Sequence, residues 1–434
     1  MAPPLARGAN KSIAIAPEAS FAVQAPGPGQ LLRRTEAVFA LTSQQATGSE
    51  WRPSHQIAAS YEGVRSTEGT ISGPLTNLTY RALFEGLLQG TWAQGGVVYG
   101  LLDSTLTIDG TTGLITMNGP ADQFMHAVGL KVGDVFEWAG LTGAPAANNA
   151  INMRLSGVTD TALTIMPMPG IIGFTSGQTE SIAVVGKKLV IPQSGQVQRS
   201  FSVEEWHADT GESRLWLGNR VTQMTLNIPA SGYVSMQAHF LGSSLSRSSS
   251  RVYASPAPVT QTGPLSSVQA KISYNGVDLG VVTSMAITVA ADAVVSHGTS
   301  SQYPLDIYTD TVRITGNFSA LTASDALTAD FLAANEVRIA ILLSSGQSAA
   351  SDFISIVLPR VKLTSMTNTD GDLHITRQFN FVALEQTAGG PGTPYEATSI
   401  VFQDSLIDSA YWNNLQIEDA TLLQAEDGTA LLLR

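Results

Sequence analysis

Residues 65–92 read RSTEGTISGPLTNLTYRALFEGLLQGTW, and the rest of the chain is parsed around this run. The alternation Gly69-Thr70-Ile71-Ser72 predicts a strand and Ser72-Gly73-Pro74 a tight turn. Leu78, Ala82, Leu83, Leu87 and Leu88 then fall on one face of a helix. A weaker copy, RITGNFSALTASDALTADFLAANEV, starts at Arg313. In it Gly316 stands where Gly69 stood, Phe318 where Ile71 stood, and Leu321-Thr322 where Leu75-Thr76 stood. A helix is again expected, with Leu327, Phe331 and Leu332 as its apolar stripe. A strand-turn-helix unit met twice implies a duplicated fold.

The flanks extend the comparison. Each unit is preceded by a segment that reads as a loop of about twenty residues, Ser43 to Tyr61 and Ala290 to Thr309, and loops of that length tend to be functional. Each is followed further on by a similar ending. Arg220-Val221 has a counterpart in Arg360-Val361, and Gly232, Val234, Met236 and Phe240 match Gly371, Leu373, Ile375 and Phe379. That pattern is a hairpin turn and an alternating strand with one face toward a core. Between residues 97 and 192 the texture changes to short strands separated by Gly and Asn turns, with Leu130-Lys131-Val132-Gly133-Asp134-Val135 as one turn into a strand.

The expected fold class is mainly β: two tandem β-sandwich or barrel modules, each with one flanking helix, plus an inserted small β-barrel domain. An N-terminal arm covers 1–30, closing on Pro26-Gly27-Pro28-Gly29. Module 1 covers 31–96 and 193–242, split by the inserted domain over 97–192. A Ser- and Pro-rich linker over 243–264 has no periodicity. Module 2 covers 265–390 and opens with the hairpin signal Asn275-Gly276. A C-terminal extension over 391–434 carries a strand at Ala397 to Phe402.

With 434 residues the chain has room for about three domains. Only 13% of its residues are charged against 43% hydrophobic, about half the usual charged share, which suits a protein that buries surface against copies of itself. The net charge of −12 argues against a nucleic-acid binder held by phosphate contacts. The absence of cysteine excludes disulfides and thiolate metal sites. The N-terminus does not read as a secretory signal, and no run reaches bilayer-spanning length.

Candidate chemistry is sparse. Trp206-His207-Ala208-Asp209 places a His-Asp pair in an alternating strand, with no second His or Cys nearby to complete a metal site. Asn368-Thr369-Asp370-Gly371-Asp372 resembles part of a calcium loop but returns directly to a strand, as a hairpin tip does. Glu204-Glu205 and Asp103 with Asp109 are carboxylate pairs at uninformative spacing. Gly69 to Gly73 has the wrong order for a nucleophile elbow. Asn77-Leu78-Thr79 and Asn317-Phe318-Ser319 match a glycosylation pattern that has no meaning without secretion. No catalytic, cofactor-binding or metal-ligating residue is assigned, and no cofactor is expected.

The run from Glu50 to Trp92, EWRPSHQIAASYEGVRSTEGTISGPLTNLTYRALFEGLLQGTW, resembles the major tail tube proteins of long-tailed bacteriophages. The likeness extends more loosely over residues 31–95, 193–242 and 266–386. It implies a β-sandwich or barrel with a flanking helix, in six-fold rings that stack into a hollow tube for viral DNA; the tube of bacterial type VI secretion is similar. With two folds per chain, three chains would supply a trimeric, pseudo-hexameric ring. The resemblance further implies a non-enzymatic virion component assembled in the host cytoplasm, with tape measure, terminator and baseplate proteins as partners and no membrane insertion. Viral DNA would pass through the lumen without specific binding, which excess negative charge suits. The two long loops would reach the next ring. Two rival readings are a terminator or baseplate ring, and a carbohydrate-binding surface β protein using Trp51, Trp138 and Trp412.

Overall fold

Period-two alternation sets Met236, Ala238 and Phe240 on one side of a strand and Ser235, Gln237 and His239 on the other. Strands of this kind make up most of the protein, which is mainly β. The computed structural model describes residues 7–407 apart from 48–53, 55–59, 95–96, 99–104, 119–128, 167–170, 176–180, 281, 322–324 and 370–374. The first part holds β1 (Lys11–Pro17), β2 (Gln30–Leu31), β3 (Glu36–Thr47), β4 (Ser60–Pro74), α1 (Arg81–Leu88) and β5 (Ala93–Gln94). The strands β6 to β13 run between Val97 and Val184. Then come β14 (Lys187–Val190), β15 (Phe201–His207), β16 (Glu212–Ile228), β17 (Ser235–Gly242) and β18 (Ser244–Ser248). The last part holds β19 (Ser266–Tyr274), β20 (Val277–Asp278), β21 (Val282–His297), β22 (Pro304–Leu321), α2 (Ala326–Leu332), β23 (Glu336–Ser344), β24 (Phe353–Thr369), β25 (Thr376–Ala383) and β26 (Val401–Asp404).

One path of antiparallel neighbours runs β3, β4, β17, β16, β21, β22, β25, β24. Its two halves share an order: a hairpin, then the later strand of a second hairpin, then the earlier one. They also share a register. Gly69 lies between Phe39 and Phe240, and Gly316 between Ile287 and Phe381. The register breaks after Ser43, opposite Arg65, and after Ala291, opposite Val312; both partners lie four residues before their glycine. It breaks again after Val221, opposite Phe240, and after Leu363, opposite Phe381.

Side chains on one face of this path form a core that includes Ile71, Ala238, Met224, Val289, Ile314 and Phe381. Helix α1 packs on β16 and β21, and all of its residues are buried. Each fully buried Leu or Phe contributes about 1.5–3 kcal/mol, so this short helix is held by packing and not by propensity. It ends at Gln89, whose φ of 55° is left-handed. Trp92 then folds back: its backbone N–H donates to Glu85 Oε1 at 2.9 Å, and its indole N–H to the Arg81 carbonyl at 3.2 Å. Helix α2 packs on β24 and has no buried residue.

The strands β6 to β13 form a separate eight-stranded sheet around Phe136, Trp138, Leu155 and Ile115. Strand β26 lies between β24 and β14, so the end of the described chain is woven into the large sheet.

Several expectations are corrected. Ser72-Gly73-Pro74 is not a turn, because β4 continues to Pro74, paired with Ser235. Leu78 precedes the helix, in a turn where its φ is 66°. Leu332 lies on the open side of α2, 76% exposed. The segments Ser43 to Tyr61 and Ala290 to Thr309 are largely hairpin: β3 runs to Thr47, β4 starts at Ser60, and β21 and β22 close to within Gly298–Tyr303. Residues 243–264 are not all linker, since β18 pairs with β16. The turn-based alignment of Phe240 with Phe379 is also displaced. Phe240 faces Gly69, whereas it is Phe381 that faces Gly316. The same register sets Val221 level with Leu363 and not with Val361.

Candidate assembly surface

The face of the eight-strand path turned away from the core is a lattice of hydroxyls and amides. One row across the strands reads Glu36, Ser72, Gln237, Thr225, Thr288, Thr315, Val382 and Lys362. The next reads Ser235, Asn227, Ala286, Asn317, Asn380 and Ser365. In these rows charge appears only at the margins, as Glu36 and Lys362. Further along the same face Glu68 on β4 and Arg313 on β22 carry charge, the latter paired with Asp292.

The path has two open margins among the described residues. Strand β3 pairs with β4 alone, and the Ser365–Thr369 part of β24 pairs with β25 alone. An open edge with unpaired backbone groups templates another strand unless it is blocked. Val38 and Leu41 on β3 are 54% and 42% exposed, which leaves apolar side chains beside that edge. Within the chain the corresponding join is already made: β16 pairs with β21 from Gln223 opposite Ala290 to Ile228 opposite Met285.

The hairpin ends project past the core. That of β21 and β22 leans on the first half of the chain. The Arg65 N–H donates to the Gln302 carbonyl at 2.7 Å, and Arg220 pairs with Asp306 at 2.7 Å. Buried Gln89 and exposed Gln198 both donate to the Thr309 carbonyl.

The structure does not bring the candidate chemical groups together. Asp209 accepts the Arg7 N–H at 2.7 Å, which holds its carboxyl below the usual range, and it makes no hydrogen bond with His207. Glu204 accepts from Ser213 and from the Val252 and Tyr253 N–H groups, whereas Glu205 turns to Lys11 and Trp216. Asp109 caps its own turn through Thr112 and Thr111, which lowers its pKa. Asp103 lies outside the described residues, as do Asp370 to Asp372; Asn368 and Thr369 end β24. Gly69 to Gly73 is plain strand. Asn77 is buried and donates to the Phe353 carbonyl and Asp404, while Asn317 lies on the polar face.

Trp138 is buried against Phe136 and Phe174, which removes it as a sugar platform; Trp51 and Trp412 lie outside the described residues. A cavity of about 90 Å³ beside Ile228 and Met285 has Asp278 as its one titratable lining residue. Among the described residues no group of three His, Asp or Glu could hold a metal, and no helix is long and apolar enough to cross a membrane.

The polar face is readable from the sequence, whereas which strand edges stay open is not. The signal of the face is the Ser-Gln-His alternation opposite the apolar positions of β17. No curated protein sequence matched the chain. A family model described as phage tail tube protein matches residues 8–383, and the chain belongs to that family.

Proposed function

We propose that this chain is the ring-forming subunit of a phage tail tube, with two related β modules per chain and three chains per pseudo-hexameric ring. Rings stack into a conduit for viral DNA, and the chain performs no chemistry. The observation that carries this reading is the shared register of the two halves, down to the breaks after Ser43 and Ala291 and after Val221 and Leu363. A sheet that repeats its strand order within one chain supplies two sixths of a closed wall.

The hydroxyl and amide face would then line the lumen. Rows of neutral polar groups, with Arg313 tied to Asp292, offer phosphates no unpaired cation to adhere to, so DNA slides with little electrostatic retention. The helices and the separate eight-stranded sheet would lie outside this wall. The projecting hairpin ends would meet the next ring, and the tape measure, terminator and baseplate proteins would meet the ends of the stack.

Negative-stain microscopy of the purified chain tests the reading. Long hollow filaments of regular diameter are expected. Particles that stop at a single ring would instead mark a terminator or baseplate component.

A further inference from the structure

The ring reading requires two copies to meet, and the chain contains a join of the kind they would need. Across the β16–β21 join, Thr225 faces Thr288 with hydroxyl oxygens 3.2 Å apart, and Met224 faces Val289. The shared register puts β24 in the place of β16. Counted from their breaks, Met366 and Thr367 take the places of Met224 and Thr225. It also puts β3 in the place of β21. Counted from the residues facing Gly69 and Gly316, Ala40 and Leu41 take the places of Thr288 and Val289.

We infer that β24 of one chain pairs antiparallel with β3 of a second copy, with Thr367 opposite Ala40, Met366 opposite Leu41 and Ser365 opposite Thr42. This inference rests on the ring reading and adds its register.

Two further observations support it. The positions buried at the internal join are open at the free margins. Met224 and Val289 are 1% and 2% exposed, whereas Leu41 is 42% exposed and Met366 half-buried. Pairing in the stated register would place Leu41 and Met366 against each other and remove both from water. The helices show the same contrast. Helix α1 spans the internal join, touching β16 and β21, and is wholly buried. Helix α2 stands on β24 beside the open margin with no buried residue, and its Leu332 points to solvent. A second copy's β3 laid along β24 would give α2 the second strand that α1 already has.

The chain has no cysteine, so engineered pairs report without background. Thr225→Cys with Thr288→Cys is the internal control and should form an intrachain disulfide. Thr367→Cys with Ala40→Cys, oxidised after assembly, should convert the monomer band on a non-reducing gel into a covalent three-chain species. Thr367→Cys with Val38→Cys should stay monomeric, because a two-residue shift sets the Cβ atoms about 7 Å apart, beyond disulfide reach. Rings that cross-link through Val38→Cys, or through neither pair, would overturn the register and leave the ring reading standing. Failure of the unsubstituted chain to form rings would overturn both.

Discussion

Asp404, in the last strand of the described chain, grips Arg81 at the start of α1 with 2.9 Å between carboxylate and guanidinium, and both side chains are buried. The same carboxylate accepts from Asn77 Nδ2 at 2.7 Å and from the Leu78 N–H at 3.1 Å. One acidic group therefore fixes the left-handed turn before the helix, the helix itself and the C-terminal strand. Asp404→Ala would leave Arg81 buried without this partner and should cost about 3–5 kcal/mol. Asp404→Asn, which retains one acceptor, should cost less. Urea unfolding of both variants measures this, and a loss below about 1 kcal/mol for the alanine variant would match a surface pair instead.

Gly69 and Gly316 hold equivalent places, yet the rings that cover them come from opposite neighbouring strands. A Cβ at Gly69 would sit 2.2 Å from Phe39, and one at Gly316 would sit 2.3 Å from Phe381 and 2.5 Å from the Ala286 carbonyl. Phe39 can swing aside at some cost to its stacking on Trp216. A backbone carbonyl in mid-sheet cannot. Both alanine variants should be destabilised by about 1–3 kcal/mol. Gly316→Ala should lie at the higher end, and equal melting shifts for the two would contradict this account.

Glu18 gives a pH signature. Burial raises its pKa, against hydrogen bonds from the Gly218 and Ala22 N–H groups and the Ser200 and Ser202 hydroxyls. Between its unfolded and folded pKa values the folded state holds more protons than the unfolded one. Stability from this group therefore falls as pH rises through that window and is greatest below the unfolded value. The unfolding free energy of wild type minus that of Glu18→Gln should fall as pH rises from about 4.5. A signed difference that rises with pH would reverse the assigned direction.

If the hydroxyl and amide face lines the lumen, one unpaired cation there should change how DNA travels. Thr288→Lys keeps the substitution on the polar face, away from the core. Tubes of this variant should retain short duplex DNA at about 50 mM salt and release it near 200 mM, whereas wild-type tubes should retain little at either. Equal retention by both tubes would place this face elsewhere.

Much of this architecture was legible in the sequence, and the misses have physical causes. Helix α1 was readable because Ala82, Leu83, Leu87 and Leu88 recur at helical spacing and are all buried. Met236, Ala238 and Phe240 announced β17 in the same way at period two. The outer parts of β3 and β4 read as loops because a two-stranded ribbon beyond the core has no face that must be apolar, so Ser43-Gln44-Gln45 carries no alternation; the outer part of β22 does bury Ile307 and Thr309, against partners distant in sequence. Strand β18, Ser-rich and polar, was lost for the same reason. The two-residue displacement of Phe240 against Phe379 came from aligning hairpin turns, whose lengths can change freely while the paired strands cannot slip without turning their core residues outward. The assembly surface was the least legible, since an unpaired edge is defined by what does not bond to it.

Native mass spectrometry of rings dissociated from the tube tests the central claim most directly. Three chains per ring, with six similar lobes in projection images of the same sample, is the predicted result. Six chains per ring, or three chains whose two halves give dissimilar lobes, would contradict it.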